Sequence, residues 1–215
     1  MNVLALDTAS PRPAIAFWTG SETLEESLPS DRRAAEEILS AVRRLLSRAG
    51  VRLEDCEWLA VCSGPGSFTG VRIGLATAWG FARALGLRVE TVSTLEAMAE
   101  AARRPELDEV VTALDAGRGD AVLARFSLAQ PRARLLSGPE RLRAVDAGRF
   151  IGSGAAAVLP PGLLAEATIP LDRSPAAALA AAAGREPRDG RPDWVLEPFY
   201  GRRSAAEEKV VTPQA

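Results

Sequence analysis

The segment Ser63-Gly64-Pro65-Gly66-Ser67-Phe68-Thr69-Gly70 is the most distinctive stretch of the chain, a Gly-rich loop between an apolar run and a region of helical periodicity. Backbone amides in such a place can cradle an anion. The spacing matches neither nucleotide fingerprint: no Lys completes a Walker A loop, and the glycines run G-x-G-x-x-x-G, not G-x-G-x-x-G. The competing reading is a tight turn in which Gly supplies positive φ and Ser67 or Thr69 caps the next helix. Two other segments carry the residue types of a phosphate-binding turn, which needs an acid for Mg²⁺, a glycine for close backbone approach and a hydroxyl donor. They are Asp7-Thr8-Ala9-Ser10 and Asp115-Ala116-Gly117-Arg118-Gly119-Asp120, with Asp7, Thr8, Ser10, Asp115 and Gly117 as the candidates. Gly152-Ser153-Gly154 is the candidate nucleoside seat. Against this, Ala9 and Pro11 remove flexibility and a donor from the first turn, and Arg118 crowds the second. A strand-end Asp that caps its own turn accounts for the same residues.

Composition removes most other chemistry. The 215 residues include 0 His, so no imidazole relay, His general base or His-containing metal site is open to the chain. Cys56 and Cys62 are the 2 cysteines, too few for a disulfide framework or a structural zinc site, and read as packing residues with a redox role as the alternative. The net charge is −2, and the arginine pairs at 32/33, 43/44, 103/104 and 202/203 are scattered without interleaved aromatics. They read as solvated helix faces and not as a nucleic-acid footprint. Asp7 interrupts the apolar start, and no apolar stretch reaches the ~18 residues that span a bilayer, so the expectation is a cytoplasmic protein with no membrane association.

Alternation and turn residues predict strands at 3–6, 14–18 and 23–28, a helix at 31–49, a strand at 58–62, a helix at 71–85, a strand at 88–92 and a helix at 94–103. Arg103-Arg104-Pro105-Glu106 marks a boundary, giving domains 1–104 and 105–215. Beyond it the pattern predicts strands at 110–114, 121–127 and 134–137, a short helix at 139–145, a strand at 150–151, a helical turn at 155–159, a strand at 167–171 and a helix at 174–184. Each half reads βββαβαβα, a mixed sheet with helices on its faces. Two such ribonuclease-H-like lobes in tandem, the second smaller, make the α/β fold actin-like, of the Hsp70 and sugar-kinase superfamily, also called ASKHA. That analogy alone licenses no function.

The helix at 71–85 is apolar on nearly all sides. Val71, Leu75, Ala78, Ala82 and Leu85 form one face; Ile73, Gly74, Ala76, Thr77, Gly80, Phe81 and Ala84 the other; Arg72 and Arg83 stand on an edge beside Trp79. Such a helix is covered on both sides, either inside its own domain or at a subunit interface. Gly70, Gly74 and Ala78 form a small-residue row that would admit a second helix, with Ile38, Val42 and Leu46 as the other wall.

Taken together, Ala5-Leu6-Asp7-Thr8-Ala9-Ser10, the segment Gly64 to Gly74, Val92-Ser93-Thr94-Leu95-Glu96-Ala97, Leu114-Asp115-Ala116 and Pro198-Phe199-Tyr200-Gly201-Arg202 resemble the TsaB (YeaZ) family. Ala34 stands where members often have His, and Gly201 where a Leu is usual. The resemblance implies a non-catalytic dimerisation subunit of the machinery that makes threonylcarbamoyladenosine at position 37 of tRNA. Its partner would be a TsaD-like subunit that holds a metal through an H-x-x-x-H pair and performs the transfer. A small TsaE-like ATPase subunit would join the complex, tRNA would be met only through the complex, and the isolated chain would be a homodimer. No cofactor or metal is implied for this chain. The interface residues it implies are Phe68, Thr69, Arg72, Ile73, Gly74, Thr77, Gly80 and Phe81, with Ile38, Val42 and Leu46. On this view Gly74→Leu or Ile73→Glu abolishes association and leaves the chain folded. The alternative is a stand-alone ATP-dependent phosphotransferase using Asp7 and Asp115.

Overall fold

The computed structural model describes residues 1–31, 33–147, 150, 156–160, 169–188 and 198. The first sheet holds β1 (Val3–Asp7), β2 (Ala14–Trp18), β3 (Thr23–Ser27), β4 (Trp58–Cys62) and β5 (Arg88–Val92) in the order β3-β2-β1-β4-β5. The first three strands are antiparallel neighbours, whereas β1, β4 and β5 run parallel, joined by crossovers through α1 (Arg33–Ala49) and α2 (Phe68–Leu85). The second sheet holds β6 (Glu109–Gly117), β7 (Asp120–Ser127), β8 (Arg134–Arg143) and β9 (Ala157–Val158) in the order β8-β7-β6-β9, with β9 parallel to β6. It repeats the first sheet's order without a fifth strand among the described residues, and this tandem repeat is the actin-like α/β fold.

Every residue of β1 and β4 is buried. A strand is covered on both faces only when layers lie on each side of its sheet. One cover is α1 and α2. Ala34, Ile38, Ala41, Val42, Leu45 and Leu46 form the apolar stripe of α1, all buried in the core with Leu6, Phe17 and Val61. The other cover comes from the far end of the chain: α4 (Pro175–Arg185) packs across β1, β2 and β3. Its run of alanines, buried from Pro175 to Ala183, lets its backbone sit close to the strands. Gly184 completes this fit, because a Cβ there would fall 1.8 Å from the Trp18 ring. Ser174 caps the helix by accepting from the Ala177 N–H, and its hydroxyl donates to Glu25 of β3.

The exchange is reciprocal. Helix α3 (Thr94–Ala101) belongs to the first half by sequence, yet Leu95, Met98 and Ala99 pack with Val110, Leu114, Val122 and Phe126 of the second sheet. The line at 104/105 therefore lies between the two sheets, and the helices cross it in both directions, with α3 and α4 packed on one another. Four expectations fail in the second half. Residues 139–143 continue β8 and do not open a helix, because Glu140, Arg141 and Leu142 pair with Leu123, Val122 and Ala121. Residues 157–158 form β9 and not a helical turn, drawn into the sheet beside Val111 and Thr112. Phe150 is helical, not strand. Of the strand expected at 167–171, residues 169–171 are described and are not strand, although the Ile169 N–H donates to the Ala157 carbonyl at 2.7 Å. The segments 152–154 and 199–202 lie outside the described residues.

Candidate interaction site

The Gly-rich loop is a brace between the first strand and α2. Gly66 and Gly70 press against the Asp7-Thr8-Ala9-Ser10 turn: a Cβ on Gly66 would lie 2.1 Å from the Ala9 carbonyl oxygen, and one on Gly70 1.8 Å from that of Thr8. Only glycine permits this approach, and Gly66 also has a φ of +153°. The Ser67 N–H donates to the Ala9 carbonyl at 2.9 Å and the Thr8 hydroxyl donates to the Gly70 carbonyl at 2.6 Å. Ser67 is the N-cap of α2, its Oγ accepting from the Gly70 N–H at 3.1 Å. The Thr94 N–H closes the loop onto the Gly64 carbonyl at 2.8 Å. Two amides of this segment, those of Ser67 and Gly70, are thus engaged within the chain, as the tight-turn reading requires.

The first turn is spent in the same way. Asp7 is fully buried, and its Oδ1 accepts from the N–H groups of Ala9 and Ser10, both at 3.0 Å. Burial pushes its carboxyl upward, against the lowering effect of those bonds. Ser10 Oγ accepts from the Arg12 N–H. Asp115, by contrast, is exposed, and its Oδ1 accepts from the Gly117 N–H at 2.6 Å across a bulge in β6. Each acid caps its own turn. Among the described residues no group of three His, Cys, Asp or Glu is placed to hold a metal ion. Both thiols are buried, and burial pushes that of Cys56 up to about 12 and that of Cys62 well above its usual range.

The braced helix α2 offers its opposite side to solvent. Gly70, Val71, Gly74, Leu75, Ala78 and Ala82 face the sheet. Phe68, Thr69, Arg72, Ala76, Trp79, Arg83 and Ala84 face outward, with Ile73, Thr77, Gly80 and Phe81 half-buried at the margins. Phe68 is 44% and Trp79 52% exposed, large apolar groups on one edge, and the Arg72 guanidinium lies 3.8 Å over the Phe68 ring. The centre of the face, Thr69, Ala76 and Gly80, is small. Beside it a cleft of about 240 Å³ separates the starts of α1 and α2, lined by Ser30, Asp31, Ala34, Thr69 and Ile73. On α1 the outward apolar residue is Leu39, 59% exposed.

Two groups of expected interface residues fall elsewhere. Ile38, Val42 and Leu46 are consumed by the chain's own core. Gly74 faces inward, where an added Cβ would stand 2.6 Å from Thr8 Oγ1 and 3.5 Å from Val61. The Gly70/Gly74/Ala78 row admits the chain's own first strand and not a second helix, so Gly74→Leu would act on the fold. Trp79 and Ala76 join the outward face instead; spacing on the helix wheel alone places them there, on either side of Arg72 and Arg83.

The chain is similar to known proteins. The family model for TsaD, tRNA N6-adenosine threonylcarbamoyltransferase, matches residues 28–140, just over half of the chain. The tRNA threonylcarbamoyladenosine biosynthesis protein TsaB of Escherichia coli K12 is 37% identical over 127 residues, 59% of this chain and 55% of that protein. The Bacillus subtilis protein of the same name is 31% identical over 121 residues, 55% of this chain and 52% of its own. The matches thus span about half the length of these curated relatives. Among solved structures, YeaZ from Pseudomonas aeruginosa superposes with a TM-score of 0.74 at 26% identity, covering 93% of this chain and 99% of that one. No helix among the described residues is long and apolar enough to cross a membrane.

Proposed function

The chain belongs to the TsaB/YeaZ family, and on that premise we propose that it is a non-catalytic subunit of a tRNA threonylcarbamoyladenosine-forming complex. It pairs through the outward face of α2 with a metal-bearing, TsaD-like catalytic subunit and supports that subunit's active geometry. A TsaE-like ATPase acts in the same assembly, tRNA is met through the complex in the cytoplasm, and without its partner the chain pairs with a second copy of itself. The observation that carries this reading is the division of α2 into two unlike sides. One is locked onto the sheet through glycines, and the other presents small residues bordered on one edge by Phe68 and Trp79 at solvent. A small, flat centre with an aromatic edge suits a packed helix pair, and aromatic anchors carry much of the energy of such surfaces. The non-catalytic assignment is supported by the absence of His from the sequence and by the engagement of Asp7, Thr8 and Ser10 in holding their own turn.

The test is Ala76→Arg, at an exposed position in the middle of that face. Exposed substitutions of this kind change stability by about 0.5 kcal/mol or less, whereas a charge buried unpaired at an interface costs about 3–5 kcal/mol. The variant is expected to keep its melting temperature and to bind an H-x-x-x-H-bearing partner at least ~100-fold more weakly. Unchanged partner affinity in the folded variant would overturn the assignment of this face.

A further inference from the structure

We propose that a buried ionic clasp centred on Arg132 locks the two lobes of this actin-like fold into one fixed orientation. The clasp gathers four segments. Glu90 comes from β5 of the first sheet, Glu96 and Glu100 from α3, Arg132 and Ala133 from the turn between β7 and β8 of the second sheet, and Glu186 and Arg188 from the chain just beyond α4. Arg132 and Glu90 are each 4% exposed and lie 2.6 Å apart. The other side of the Arg132 guanidinium faces Glu96 at 3.6 Å, and Arg188 reaches the same carboxylate at 2.7 Å. Arg132 Nη1 also donates to the Glu186 carbonyl at 3.1 Å, and Arg188 Nη2 to the Ala133 carbonyl at 3.2 Å. Glu100, 3% exposed, accepts from the Ala133 N–H and pairs with Arg103 at 2.9 Å. Arg103 in turn donates to the Gln130 carbonyl of the β7–β8 turn at 2.9 Å.

Three carboxylates therefore meet three guanidinium groups, and each of these contacts except the local Glu100–Arg103 pair ties a segment of one lobe to a segment of the other or to a helix shared between them. A buried ion pair adds little net stability over apolar residues of the same volume, but removing one member from the other is strongly penalised. The cluster is accordingly suited to specifying one arrangement and resisting displacement from it. Parting the first sheet from the turn bearing Arg132 would strip that guanidinium of the Glu90 carboxylate inside the protein. Arg103 thus has a half-buried bonding role, where the sequence suggested a solvated pair with Arg104. The inference goes beyond the proposed function and holds for the isolated chain whatever its partner.

The experiment uses the full chain with spin labels on cysteines introduced at the exposed positions Ser47 and Ser137, one on each lobe, diluted with unlabelled chain so that only distances within a molecule are read. Cys56 and Cys62 are buried and stay unlabelled. The otherwise unaltered chain is expected to give one narrow distance distribution. Arg132→Met, and the isosteric Glu96→Gln, are expected to at least double its width with the circular dichroism of both sheets unchanged. A width that stays narrow in a folded variant would overturn the clasp, since apolar packing of α3 on α4 would then suffice. A broad distribution in the parent would overturn it too. Failure of both variants to fold would also count against it, because neither sheet needs the clasp in order to form.

Discussion

Gly74→Leu separates the inner side of α2 from the outer more sharply than any other substitution. Gly74 lies one helical turn after Gly70, and the Cβ that Leu would introduce stands 2.6 Å from Thr8 Oγ1. The Thr8 hydroxyl cannot simply rotate away, because it is buried and donates to the Gly70 carbonyl at 2.6 Å. Overpacking a filled core costs about 1–3 kcal/mol, and leaving a buried hydroxyl and carbonyl without each other adds about 1–3 kcal/mol. Together these amount to about 2–6 kcal/mol, a large share of the roughly 5–15 kcal/mol that holds a typical domain folded. For a chain of this length that corresponds to a fall in melting temperature on the order of 5–20 °C. The assay is thermal unfolding by circular dichroism, run beside Ala76→Leu, which adds the same side chain on the exposed side and should shift the melt by no more than about 2 °C. A Gly74→Leu chain that melts with the parent and yet fails to associate would refute the reasoning and return the small-residue row to the interface.

The remaining expectations concern the core and its acids. Asp7 has a carboxyl raised by burial from its usual 3.8, so the folded chain holds that proton more tightly than the unfolded one. Its stabilising contribution is fully present below the unfolded value and is lost as pH rises through the folded one. Asp7→Asn should therefore raise the melting temperature at pH 7, with a gain that shrinks towards pH 4; a lower melting temperature at pH 7 would contradict this. Leu179→Ala, at a fully buried position of α4, should cost about 2–5 kcal/mol in urea unfolding. A chain cut after residue 104, which leaves one face of the first sheet uncovered, should show no cooperative transition, and a two-state melt from that fragment would refute the helix exchange. Both thiols should resist alkylation at pH 8 in the folded chain and react in denaturant, since burial disfavours each thiolate; rapid modification of Cys56 would contradict its burial.

The order of elements along the first half and its helices are legible in the sequence because their signals are local. The apolar stripe of α1 recurs at helical spacing from Ala34 to Leu46, and the turns at Pro11, Gly20 and Gly50 punctuate it cleanly. The second half was less legible for an equally physical reason. Glu140 and Arg141 have no strand propensity of their own and are held in β8 by pairing with β7, a contact the local pattern does not contain. The Ala-rich run from Ala176 to Ala183 announces a helix but not its address, since alanine fits closely against any surface. Its place on the first sheet is fixed by Gly184 against Trp18 and Ser174 against Glu25, partners about 150 residues away in sequence. The clasp left a weak signal that went unread: Glu90 interrupts an apolar strand, and Glu96 and Glu100 sit on an otherwise apolar helix. Charges in such company are either exposed or paired, and sequence alone does not say which.

The Gly-rich loop and the helix behind it are legible in the sequence, whereas which side of the helix faces inward is not, for a physical reason. Glycines spaced four apart mark close approach without naming what approaches. Here the approaching group is the carbonyl of Thr8, and the bonds of Thr8 and Ser67 fasten the first turn of α2 to the end of β1. A helix fastened on one side presents its other side in fixed geometry. Little ordering entropy then remains to be lost when a partner docks, which is how pre-organisation favours association. On the proposed function, the residue types that suggested a phosphate loop would serve recognition indirectly: Asp7 holds the Ala9 and Ser10 amides and Thr8 holds Gly70, which together fasten the helix that bears the outward face. A substitution at Thr8, remote from that face, should on this account weaken partner binding through the geometry of α2. Thr8→Val is the cleanest form, since it keeps the shape and removes only the hydrogen bond. If it binds a partner as tightly as the parent does, the brace is structural and the outward face stands without it.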